Sequence, residues 1–208
     1  MEDPSFEALA ESGSLLTSNN DWHGSLASAF TAAGAFPFAV GSKDAAASFG
    51  TAGSFTVKAK GTGAGLALVE VYDSDYMGDS HLINVSARSK VGTGADVLIV
   101  GFTVRGVGTT QVLVRAVGPS LSKFGVPGTL VDPILSLFDS KGARIDQNDN
   151  WAPTLQTAFS QVGAFALEAN SFDAALVATI HGGQSYTVQV EGVGGKTGEA
   201  LVEVYEIQ

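Results

Sequence analysis

The chain has no cysteine in its 208 residues. That excludes disulfides, thiol nucleophiles and thiolate metal sites, and it fits either redox compartment. Positive charge is scarce, with 11 Lys and Arg against 21 Asp and Glu, a net charge of −10. Nucleic acid is held by cations that neutralise phosphates, and anionic membrane surfaces attract the same residues, so neither partner is expected. No apolar run approaches the ~20 residues of a spanning helix, so membrane insertion is not expected either. The opening Met1-Glu2-Asp3-Pro4 is acidic and precedes no apolar core, so no secretory signal is visible. What the chain has in quantity is glycine, 26 residues, and small apolar side chains, with hydrophobic residues at 45% and charged ones at 15%. Short strands joined by tight turns have this composition, so the fold is expected to be mostly β.

The dominant pattern is a duplication. Asp132-Pro133 and Asp3-Pro4 stand 129 residues apart, and the same spacing carries Gly142 onto Gly13, Asn148 onto Asn19, Trp151 onto Trp22, Gly163-Ala164-Phe165 onto Gly34-Ala35-Phe36 and Asp173 onto Asp44. After small slips in Gly-rich turns, Tyr186-Thr187-Val188 falls on Phe55-Thr56-Val57, and Leu201-Val202-Glu203-Val204-Tyr205 on Leu68-Val69-Glu70-Val71-Tyr72. A repeat of this length is a domain-sized element and not a solenoid turn. The copies are called B here. The segment between them, 80–131, occurs once and is called A. The predicted organisation is a degenerate half-unit over 1–75, a linker at 76–79, and a complete unit over 80–208 made of A (80–131) and B (132–208).

Within the first copy, strands are expected near 5–9, 14–18, 45–49, 55–60 and 66–72, the first of them weakly patterned and read as an edge strand. Leu26, Ala29, Phe30 and Ala33 recur at helical spacing before Gly34, as do Leu155, Ala158, Phe159 and Val162 before Gly163, so each B copy encodes one short helix. Segment A encodes three strands, 82–88, 96–105 and 111–117. The apolar run Val97-Leu98-Ile99-Val100 predicts a strand covered on both faces, and Phe124 a buried aromatic in the loop that follows.

Leu82-Ile83-Asn84-Val85-Ser86-Ala87-Arg88, Val91-Gly92-Thr93-Gly94, Arg115-Ala116-Val117-Gly118-Pro119-Ser120-Leu121, Asn148-Asp149-Asn150-Trp151 and Leu201-Val202-Glu203-Val204-Tyr205 together resemble the repeat found in tandem near the C-terminal ends of large secreted bacterial proteins. Residues 82–205 match one full unit and 3–72 the back half of another. The B half is also loosely similar to the pre-peptidase C-terminal β-sandwich. The resemblance implies antiparallel, jelly-roll-like β-sandwich units in tandem, an extracellular or cell-surface location and a non-catalytic role. No cofactor is expected.

Two loops carry the candidate ligand chemistry. Asp146, Asn148 and Asn150 place oxygens at alternate positions, as a calcium loop begins, and with Asp149 and Asp139 they would suit a hard cation such as Ca2+. The motif stops there, because Trp151 stands where glycine is required and Thr157 where a bidentate Glu is required. Trp151 with Asn148, Asp149 and Asn150, and Trp22 with Asn19 and Asp21, also combine an aromatic face with polar groups, as polysaccharide-binding sites do. The plainer account of both is a hydrogen-bonded turn that seats a packing indole. His23, His81 and His181 have no metal-ligand spacing, and Gly118-Pro119-Ser120 is no nucleophile elbow. Glu70 and Glu203 occupy matching strand positions, which suggests one cross-strand or surface role used twice, and no catalytic constellation assembles.

Two functions follow. The first is a structural or interaction module, a surface-protein spacer, adhesin or filament subunit: the first B copy lacks the A strands that would cover it, and unpaired strands are satisfied by strand sharing in a homo-oligomer or polymer. The second is a carbohydrate-binding module, calcium-supported, appended to a degradative enzyme.

Overall fold

The computed structural model describes residues 1–74 and 81–208. The linker expected at 76–79 lies outside them. The chain divides into two compact units, Met1–His81 and Leu82–Gln208, each taken in its own frame.

The first unit holds β1 (Glu2–Ala10), β2 (Leu15–Asn19), helix α1 (Ala27–Ala33) and β3 (Phe55–Thr62). Its three strands form one antiparallel sheet in the order β2-β1-β3. The weakly patterned β1 is therefore not an edge. It is the central strand, flanked on both sides, with Ala8 fully buried. Helix α1 ends on Gly34 at φ 73°, the left-handed cap that its position predicts, where a side chain would be strained. The strands expected at 45–49 and 66–72 do not form, and both stretches run without a ladder partner among the described residues.

The second unit contains β4 (Asn84–Val91), β5 (Leu98–Val104), β6 (Thr109–Val117), β7 (Pro133–Phe138), β8 (Arg144–Asn148), helix α2 (Gln156–Gln161), β9 (Ala174–His181), β10 (Gln184–Gly192) and β11 (Gly198–Ile207). It is an all-β sandwich of two antiparallel four-stranded sheets, β5-β10-β7-β8 and β4-β11-β6-β9. The period-2 alternation of strands sorts each strand's side chains to the two faces. Val112, Val114 and Ala116 of β6, Val202 and Val204 of β11 and Leu176 and Ile180 of β9 meet Leu135, Leu137, Val188 and Val190 of the other sheet in the main core. The opposite face of the second sheet is buried as well: Leu113, Val117 and Ala175 pack with Trp151, Phe159 and Leu167 from the loop and helix that follow β8.

The strand covered on both faces is thus β6, whose residues 112–117 are all buried. Of the run at 97–100, Leu98, Ile99 and Val100 lie on the edge strand β5, with Ile99 52% exposed. Phe124, expected inside, is exposed and meets Phe165 edge-on.

The two halves of the sequence interleave in this sandwich. A supplies β4, β5 and β6, and B supplies β7 to β11. In the first sheet, β8-β7-β10 are three neighbouring B strands, and A adds only the edge. In the second, the B strands β9 and β11 never touch each other, because β6 lies between them. This explains the first unit: β2-β1-β3 reproduces β8-β7-β10, while the counterparts of β9 and β11, the stretches 45–49 and 66–72, have no inserted strand to pair with.

Candidate functional site

The polar centre of the second unit is where A meets B. Arg115 on β6 is fully buried opposite Glu203 on β11 in the antiparallel register. Its Nε donates to Glu203 Oε2 at 2.9 Å, Nη2 donates to the same oxygen, and Nη1 donates to the Phe165 carbonyl. The guanidinium lies between two rings, 4.9 Å from the centroid of Phe159 and 4.4 Å from that of Phe165. Tyr205 donates its hydroxyl to Glu203 Oε1 at 2.6 Å. Burial, reinforced by that hydrogen bond and by the carboxylate charge, pushes the Tyr205 phenol far above its ordinary value. Every strong donor and acceptor has a partner, which is the condition under which a buried ion pair is tolerated.

A second cluster fixes the turn after β6. Fully buried Asp173 accepts from the Gly118 and Ser120 amides at 2.8 and 3.3 Å through Oδ1, and from the Ser120 and Ser171 hydroxyls through Oδ2. Gly118 is required here, because a Cβ would sit 2.1 Å from the Leu130 carbonyl oxygen. Neither Asp173 nor Arg115 was singled out from sequence. The cue was available, since Asp173 and Glu203 both recur in the duplication.

The candidate ligand residues turn out to hold the loops together. Asn148 Oδ1 accepts from Ala175 N at 3.0 Å, and its amide donates to the Asn150 carbonyl. Trp151 is 7% exposed, packed on Phe159, with Nε1 donating to the Glu168 carbonyl and the Ser171 hydroxyl. A ring so enclosed offers no face to a sugar, so the indole is a packing peg. Asp139 Oδ1 caps its hairpin through the amides of Lys141 and Ala143, and Asp146 Oδ1 accepts from the Gln147 amide. Asp149 and Asn150 are exposed. Among the described residues, no three acidic or His side chains converge as a cation site would need.

The first unit builds the same loop. Asn19 Oδ1 accepts from Ala46 N at 3.0 Å, Trp22 N donates to the Asp44 carbonyl at 2.8 Å as Trp151 N does to that of Asp173, and Trp22 Nε1 donates to the Ala39 carbonyl. Asp21 pairs with Lys43 at 3.1 Å. No family model and no curated protein matches this chain.

Beyond the loop, the two copies diverge in what they have to bind. Tyr72 donates to Glu70 Oε1 at 3.0 Å, as Tyr205 does to Glu203, but among the described residues no Arg pairs with that exposed carboxylate. The hydroxyl oxygen of Ser42, counterpart of Ser171, is buried with no hydrogen-bond partner. Trp22, Phe30, Phe36 and Phe38 stack into a cluster, yet Phe36 is exposed where its counterpart Phe165 packs on Arg115. Val69 and Val71 are 51% and 45% exposed, whereas their counterparts Val202 and Val204 are buried.

Proposed function

We propose that this chain is a non-catalytic structural and interaction module whose first unit is completed by strands it does not itself contain. The observation that carries the reading is the stretch 66–72, an extended run with Leu66, Leu68, Val69, Val71 and Tyr72 all exposed. Its counterpart is β11, flanked by β4 and β6. Exposed apolar strands with open backbone groups recruit other strands. The buried charged groups of the second unit support a non-catalytic reading, since Arg115, Glu203 and Asp173 are all consumed by structural bonds. The repeat resemblance adds an extracellular, surface-protein setting, in which such units serve as spacers, adhesin segments or subunits of an assembly.

Hydrogen exchange combined with sedimentation tests this. In the dilute chain, amides of 66–72 should exchange at nearly unprotected rates while those of 201–205 are strongly protected. At concentrations where the chain associates, protection should spread to 66–72. A chain that stays monomeric with 66–72 already as protected as 201–205 would be complete in itself, and the module reading would fail.

A further inference from the structure

Several groups that β6 and its turn engage in the second unit have counterparts in the first. In the second unit, the group that faces Glu203 is Arg115, the cation over Phe159 and Phe165 is again Arg115, and the donors to Asp173 besides Ser171 are Gly118 and Ser120. All belong to the end of β6 and the turn after it. In the first unit Glu70, Phe30, Phe36 and Asp44 are the sequence counterparts of Glu203, Phe159, Phe165 and Asp173, and Glu70 and Phe36 are exposed where Glu203 and Phe165 meet Arg115.

The chain's own β6 is not available to supply it. Both its edges are taken, by β11 over residues 111–117 and by β9 over 109–116. Residues 1–208 hold two B halves and one A segment, so a second copy of them could donate its β6 only by opening its own sandwich. Building on the module reading above, we propose that the first unit is an acceptor for an additional A-type strand, carried by a partner polypeptide, with the pattern apolar-Arg-x-x-Gly-Pro-Ser. By the pattern of the second unit, the Arg packs on the counterpart rings Phe30 and Phe36 and pairs with Glu70, and the Gly-Pro-Ser turn caps on Asp44. The charge on Arg and the two turn donors make the site selective over other apolar strands, because a strand lacking them leaves buried polar groups unpaired.

The test adds a synthetic peptide with the sequence of residues 109–124 to the full-length chain and follows exchange of amides 66–72. Two control peptides carry Arg115→Met or Ser120→Ala, so no folded protein need be altered. The expected result is saturable protection of 66–72 by the parent peptide, with both controls binding at least about tenfold more weakly. Removing the acceptor carboxylate by Glu70→Gln should abolish the preference for Arg over Met. Equal protection by all three peptides would overturn the selectivity proposed here and leave the strand-sharing module standing. No protection by any of them, with 66–72 shielded only when the chain self-associates, would overturn it in favour of a second copy as the occupant.

Discussion

At the level of single residues, the duplication places identical side chains in unlike surroundings, and this gives a direct comparison. Arg115→Ala would strand the Glu203 carboxylate in a dry interior, and a cost of about 3–5 kcal/mol is expected in urea denaturation of the second unit. Glu70→Gln touches the same Leu-Val-Glu-Val-Tyr motif where it is exposed, and should change stability by no more than about 0.5 kcal/mol. Alkaline titration offers a further check. The Tyr205 phenol is held protonated by burial and by Glu203, so its folded value lies above the unfolded value of 10.0. A raised value means that the contribution is complete below about pH 10 and falls away as pH climbs past it. The second unit should therefore lose stability above that pH more steeply than a Tyr205→Phe variant, measured as urea midpoints between neutral and strongly alkaline solution.

Among the elements, β11 and the stretch 66–72 form the corresponding pair. Val202 lies on a strand bonded on both sides, so Val202→Pro deletes a ladder hydrogen bond and should cost about 3 kcal/mol or more. Val69→Pro interrupts no ladder and should leave the isolated chain's unfolding unchanged within about 0.5 kcal/mol. This contrast also marks what the sequence could convey. Helices α1 and α2 were legible because their apolar spacing and the glycines behind them act locally, and so were β2, β3 and most strands of the second unit. Strand formation at 45–49 and 66–72 was not, since those residues carry the right pattern but depend on a distant inserted strand. The run at 97–100 misled for a related reason. Apolar side chains on consecutive positions say nothing of which strand becomes the edge, and the doubly covered place went to β6, where Arg115 breaks the apolar run. The partners of Asn148 and Trp151 were not legible either, since their polar atoms face Ala175, Glu168 and Ser171, contacts set by tertiary folding.

For the molecule as a whole, the two units should differ in robustness. The first rests on a single three-stranded sheet and a small aromatic cluster, and three strands with one covered face are near the lower limit for independent stability. The second has two four-stranded sheets and cores on either side of one of them. Amides of β1 and β3 should accordingly exchange at lower urea than those of β6 and β11, and coincident exchange of both sets would mean that the units unfold as one. Described residues include no helix long and apolar enough to cross a bilayer. The place of β11 bears on biosynthesis too. Of the second unit's strands it comes last in the chain, and it inserts between β4 and β6, which emerge from the ribosome far earlier. Until Ile207 clears the exit tunnel, the greasy β6 has only β9 beside it, so one edge of the nascent sandwich stays open to mispairing until its final strand is in place.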